Sequence, residues 1–243
     1  MTSPAAYVRR LFTPWRWRSA ALSHNQKHPF DRTHGVDTGG LLYPRQLSRG
    51  HPHDLHSAGY YATAPSLFHG AIDLWRGTLH GTGFSLVDYT LVDIGCGKGR
   101  VLMLASLYEF REIVGVELNP GLARIARKNL RKWMIRTSLP APARIIEADA
   151  LAVPIPDGPV ALFYFNSFER ELTEKWLSRL AALAGNRTAP VDLIYIHPEF
   201  DTLVRQVSGM RSLAQADIPF TDDDAAADVF GVNEDRCVVY RLG

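Results

Sequence analysis

The densest chemistry in the chain lies in Leu91-Val92-Asp93-Ile94-Gly95-Cys96-Gly97-Lys98-Gly99-Arg100. A short apolar run passes into glycines at every second position and then into Val101, Leu102, Leu104 and Ala105 at helical spacing. Such a strand–turn–helix lets a ligand approach the backbone closely and aims free amide N–H groups at it. Three ligand classes use that geometry. A phosphate loop of the Walker type needs glycine at position 92 and Ser or Thr at 99, where this chain has Val92 and Gly99, so that reading fails. A dinucleotide fingerprint needs Gly or Ala at position 100 for close strand–helix packing, and Arg100 weakens it. There remains a glycine turn preceded by an acid, in which Asp93 holds the turn and polarises the amino end of a ligand.

Further along lie other groups that could act. Asn166 and His197 each end a predicted strand. An asparagine amide oxygen can accept an N–H and direct a nitrogen lone pair, while a histidine can deprotonate a hydroxyl or an ammonium. Asn166 could equally cap the next helix. His51-Pro52-His53-Asp54-Leu55-His56 approaches a zinc-hydrolase pattern, but its aspartate is one place early and no strand leads into it, so no metal is expected. Trp15-Arg16-Trp17-Arg18 could stack on nucleobases. Packing of the tryptophans onto the body is the commoner explanation, and a nucleic-acid partner is not expected.

The elements that must position these residues read as α/β. Predicted strands are Leu91–Ile94, Ile113–Glu117, Arg144–Glu147, Val160–Phe165 and Val191–Ile196, with two more at Ser212–Ala216 and Cys237–Leu242. Predicted helices cover Ser66–Leu79, Lys98–Leu107 and the stretch after Asn119-Pro120, which supplies a cap and a first-turn proline and runs until Pro140 and Pro142. Another helix should carry Phe168, Leu172, Trp176, Leu180 and Leu183 on one face, and a short one should lie near Asp201–Val207. The acidic run at 222–224 and the alanines at 225–227 read as a flexible hairpin tip.

The glycine segment resembles motif I of the class I S-adenosylmethionine-dependent methyltransferases, and the resemblance extends through about residues 86–200. Val114-Gly115-Val116-Glu117-Leu118-Asn119-Pro120 is similar to their second-strand motif, and Glu147-Ala148-Asp149-Ala150 to their adenine motif. Phe163-Tyr164-Phe165-Asn166-Ser167-Phe168 resembles the fourth-strand motif of amino-methylating enzymes, with Ser167 in place of proline. It is closer to the variant in histone-lysine methyltransferases that lack a SET domain and in their bacterial relatives. Segments like Phe30-Asp31, Gly35-Val36-Asp37-Thr38 and Tyr60-Tyr61-Ala62-Thr63 are shared with those bacterial proteins.

The resemblance implies a Rossmann-like seven-stranded sheet, parallel except for a C-terminal antiparallel hairpin, with helices on both faces and an N-terminal helical extension. Residues 1–80 would form that extension, acting as lid and acceptor-pocket region, and 81–243 the S-adenosylmethionine-binding domain. Implied cofactor contacts are Tyr61, Thr63, Asp93, Gly95, Cys96, Gly97, Gly99, Glu117 on the ribose, Leu118, Asp149 on adenine, Ala150 and Asn166. Asn166 and His197 are the expected catalytic residues. The methyl would go to a nitrogen or an oxygen of a peptide or small molecule. An NAD(P)-dependent oxidoreductase and a non-catalytic binding protein with a vestigial pocket stay open beside this reading.

Composition fits these readings. The 243 residues are 46% hydrophobic and 21% charged, enough for one α/β domain with an appendage. The longest apolar stretch, Val160–Phe165, is far short of the roughly 18 residues that span a bilayer, so no membrane partner is expected. With only Cys96 and Cys237, a disulfide framework is excluded and a reducing cytoplasm is expected. The net charge of +2 hides a first sixty residues at +5, which also hold six of the nine histidines.

Overall fold

Seven strands form one sheet in the order β3-β2-β1-β4-β5-β7-β6 in the computed structural model, which describes residues 28–56, 58–137, 142–183 and 187–243. The strands are β1 (Thr90–Ile94), β2 (Glu112–Glu117), β3 (Ala143–Glu147), β4 (Val160–Tyr164), β5 (Val191–Ile196), β6 (Met210–Pro219) and β7 (Glu234–Leu242). The first five pair in parallel, and β7 lies antiparallel between β5 and β6. The order reverses direction at β1, so a crevice opens beyond its carboxyl end, where ligands bind in open α/β sheets.

Helices cover both faces, so the mostly apolar central strands β1, β4 and β5 are buried at every position, as in other parallel sheets. Leu91, Ile113, Phe163 and Ile194 pack with α3 (Pro65–Gly77), α4 (Arg100–Ala105) and α5 (Pro120–Arg136). The alternate residues Val92, Val114, Leu162 and Leu193 pack with α6 (Arg170–Ala181) and, at Val204, α7 (Asp201–Arg205). Asn119 caps α5 as expected, its side chain accepting from the Leu122 amide at 3.1 Å. Phe168 precedes α6 and joins the core by ring contacts with Tyr164 and Trp176.

Three differences from the sequence reading have physical causes. The last two strands run longer than predicted because they pair with each other over almost their whole length, with an irregularity at Ser212/Ala214. The supposed flexible tip is instead a helix, α8 (Asp222–Ala227), with three aspartates in its first turn and the Thr221 side chain accepting from the Asp224 amide. The predicted helix Lys98–Leu107 is α4, begun two residues later by Gly99 in a left-handed conformation.

Among the described residues, the part of the extension before α3 carries the short helices α1 (Pro29–His34) and α2 (Pro44–Leu47), and it is fastened by charge. Arg100, 4% exposed, donates to the Thr38 hydroxyl at 2.7 Å and to the Thr63 carbonyl at 3.1 Å. Asp31 accepts from the amides of Thr38 and Gly39 and from the Thr38 hydroxyl, and lies 3.9 Å from Arg100. Lys98 reaches Asp37 at 2.9 Å and the Gly39 carbonyl at 2.6 Å. The two cations after the glycine turn therefore serve to hold the extension. No helix among the described residues is long and apolar enough to cross a membrane. The Trp15–Arg18 motif and Pro140 lie outside the described residues.

Candidate active site

A cavity of about 1040 Å³, including its open mouth, lies beyond the carboxyl ends of β1, β2 and β4. All the expected cofactor contacts line it except Gly99 and Asn166. Gly99 instead starts α4 against Ala126, and Asn166 lies in a neighbouring cavity.

The turn itself is tightly covered. Gly95 and Gly97 have φ of 77° and 53°, which disfavours any side chain. A Cβ on Gly97 would stand 2.2 Å from the Tyr60 ring, and one on Gly95 would stand 2.5 Å from the Ser167 hydroxyl. The extension thus reaches the glycine turn directly, through a residue adjacent to the predicted Tyr61.

Two buried carboxylates face this turn. Glu117 accepts from the Gly97 amide at 2.7 Å and the Asn119 amide at 2.8 Å, clipping the first loop to the second. Burial raises its pKa, against the lowering effect of those amides. Asp93 is pushed well above the ordinary carboxylate range by burial and, secondarily, by Glu117. Raised carboxylates in a confined cavity are suited to a ligand that brings a cation or hydroxyl donors, which lets them ionise in partnership. Burial likewise keeps Cys96 a thiol. An amino acid's ammonium beside Asp93 and a sugar diol at Glu117 would supply the donors that these acceptors call for.

Asp149 also has an internal partner. One oxygen is 2.8 Å from His53 Nδ1, and the other accepts from the Leu151 amide at 2.9 Å. His51, His53 and Asp149 offer ligand atoms within 4.8 Å of one another, close enough to hold a metal ion. The zinc-like hexapeptide is otherwise dispersed. Asp54 accepts from the Arg49 and His51 amides, and His56 faces Glu171 at 3.8 Å. The sequence offered no sign that His53 would meet Asp149, a residue 96 positions away.

Asn166 and His197 stand side by side in a second cavity that shares Ala58, Gly59, Tyr61 and Phe165 with the first. Both have left-handed backbones, with φ of 43° and 48°. The Asn166 amide is engaged at both ends, its Nδ2 donating to the His197 carbonyl at 2.5 Å and its Oδ1 accepting from the Tyr195 hydroxyl at 2.7 Å. His197 Nδ1 is 2.8 Å from Asp235. Sequence reasoning missed Asp235, Asp228 and the phenylalanines 220 and 230, because all of them come from β7 or from the segment linking it to β6.

Residues 91–186 match a family described as a methyltransferase domain. The matched stretch runs from β1 past α6, contains the glycine turn, Glu117 and Asp149, and ends before β5. A magnesium protoporphyrin IX methyltransferase from Synechocystis PCC 6803, solved with bound SAM, is 11% identical. That likeness covers 100% of this chain and 99% of that chain, with a TM-score of 0.51, and it shows the fold. A precorrin-6y C5,15-methyltransferase from Geobacter metallireducens GS-15 is 17% identical over 75% of this chain and 93% of that one, with a TM-score of 0.48. An RNA methyltransferase from Salinibacter ruber, in complex with S-adenosyl-L-homocysteine, is 17% identical over 74% and 92%, with a TM-score of 0.44. No curated protein matches the chain.

Proposed function

We propose that this protein is an S-adenosylmethionine-dependent methyltransferase acting on a nitrogen or oxygen of a peptide or small molecule. The observation that carries the reading is the pair of buried carboxylates, Asp93 and Glu117, set on either side of a left-handed glycine turn inside the larger cavity. Bound S-adenosylmethionine supplies a methyl on a sulfonium, an already activated electrophile, so alignment of the acceptor can provide much of the catalysis. Asp93 would hold the amino end, Glu117 the ribose and Asp149 the adenine, with Leu118 and Ala150 beside the nucleoside.

The Tyr60-Tyr61-Ala62-Thr63 segment lines the same cavity, which supports a lid role for the extension within residues 1–80. Similarity of Phe163–Phe168 to the methyltransferases without a SET domain supports a nitrogen acceptor, and His197 beside Asp235 supports an oxygen one. Thermal-shift measurements with S-adenosylhomocysteine, NAD and NADP in parallel test the reading. Stabilisation by S-adenosylhomocysteine alone is expected. Stabilisation by a nicotinamide cofactor alone overturns it in favour of an oxidoreductase.

A further inference from the structure

We propose that the second cavity is the acceptor site and takes a neutral, ring-sized apolar molecule bearing a phenol-type hydroxyl, with His197 as the base and Asp235 as its positioning residue. The proposal rests on the methyl-transfer reading above and narrows its acceptor.

The wall selects the class. Leu67, Phe165, Phe220, Phe230 and Val232 make it largely apolar and aromatic, which suits a flat ring. Among the described residues that line it none is Lys or Arg, so an acceptor carboxylate or phosphate would meet no counter-charge. An ammonium would compete for carboxylates that already do structural work, since Asp228 has both oxygens engaged and Asp235 uses Oδ1 to hold the His197 ring. Asp228 accepts from the Tyr61 hydroxyl at 2.6 Å and from the Phe230 and Val232 amides at 2.8 and 2.9 Å, so its charge serves to fold the wall. Asp235 accepts from the Arg236 amide at 2.7 Å and holds the His197 ring.

The polar end selects the reacting group. His197 follows β5 with a left-handed backbone, fixed by its amide donating to the Arg236 carbonyl at 2.8 Å and by its carbonyl accepting from Asn166. Strained backbone at a cavity is where function concentrates. With Nδ1–H directed to Asp235, the lone pair of the neutral ring is on Nε2, and the carboxylate stabilises the imidazolium that forms when that atom takes a proton. A phenol, with a pKa of about 10, can surrender its proton to an imidazole during transfer, whereas an aliphatic alcohol is far less acidic. Asn166, engaged on both sides, acts here by holding the His197 backbone.

Because the cavities share Tyr61 and Phe165, an acceptor in the second borders the methyl donor in the first. His197 Nε2 takes the hydroxyl proton while an oxygen electron pair forms the bond to the methyl carbon. The carbon–sulfur bond breaks with its pair left on sulfur, and the imidazolium afterwards releases its proton to solvent.

The test uses the full chain saturated with S-adenosylhomocysteine, titrated calorimetrically with 2-naphthol, 2-naphthylmethylamine and 2-naphthoate. The naphthol should bind at least about tenfold more tightly than the other two, since a carboxylate meets no cation and an ammonium meets only carboxylates already committed to the wall and to His197. His197→Asn keeps a residue that tolerates the left-handed backbone, and it should bind the naphthol within about threefold of the parent while transfer falls by roughly a hundredfold or more. Asp235→Asn should lower kcat with little change in KM, and Asp235→Glu should recover part of the loss. Equal binding of the amine or the carboxylate, or full transfer by His197→Asn, overturns the proposal. If S-adenosylhomocysteine binds but none of the three probes does, the acceptor inference falls and the methyltransferase reading stands. If S-adenosylhomocysteine itself fails to bind, the earlier reading falls.

Discussion

Replacing Glu117 by alanine removes one carboxylate from two jobs, and their sizes can be separated. In the folded chain the amides of Gly97 and Asn119 lose an acceptor at 2.7 and 2.8 Å. Both face a cavity that water can enter, so the stability cost should stay at the low end of what unpaired groups incur, about 1–3 kcal/mol in total. A ribose diol loses its anionic acceptor as well, which should weaken S-adenosylhomocysteine by about 1–3 kcal/mol, or roughly 5- to 150-fold. Glu147 provides the control. It is the register partner of Glu117 on the next strand, but it is exposed and pairs with Arg127 at 2.8 Å. Glu147→Ala should cost under about 1 kcal/mol of stability and leave affinity unchanged. Calorimetry with S-adenosylhomocysteine, alongside urea unfolding of each variant, measures both quantities. A folded Glu117→Ala protein that binds within about twofold of the parent would refute the ribose assignment.

Two further outcomes follow from buried charge elsewhere. Asp192 is fully buried near the start of β5, where it accepts from Arg241 at 2.6 and 2.8 Å, from the Trp75 indole at 2.9 Å and from the Tyr89 hydroxyl at 3.1 Å. Asp192→Ala strands Arg241 and should cost about 3–5 kcal/mol in urea unfolding, and a cost below about 1 kcal/mol would contradict the burial argument. Asp224 on α8 is opposed by burial, yet hydrogen bonds from His28 and Ser66 outweigh that and hold its carboxyl at about 2 against an ordinary 3.8. The depressed value stabilises the fold by about 2 kcal/mol above pH 4, and that increment is lost as pH falls from about 4 toward 2. Asp224→Asn should therefore flatten the stability profile across that interval, and an acid limb identical to the parent's would count against the clasp between α8 and the extension.

Local pattern was sufficient wherever one segment carried its own signal. The glycine turn, the acid ending β2 and the Asn-Pro start of α5 were all readable, because backbone conformation and capping depend on neighbours a few residues away. Continuous apolar runs announced a sheet covered on both faces for the same reason. The six residues after Thr221 misled, since aspartates read as turn formers in isolation. Here the Asp224 carboxylate finds the Ser66 amide at 2.7 Å, a partner 158 positions away that sequence pattern cannot supply.

The residue types alone determined that a strand-tip acid and a glycine turn would face one cavity. Tertiary structure decided what surrounds them. Strand register brings Tyr164 opposite Tyr195, which places Asn166 and His197 together two residues beyond, at the sheet edge. Antiparallel return of β7 delivers Asp235 to that histidine, and the segment before it builds the aromatic wall. The extension places His53 on Asp149 and Tyr60 on Gly97. Each of these is a meeting of distant segments governed by sheet order and loop path, and none is encoded in any single window of the chain.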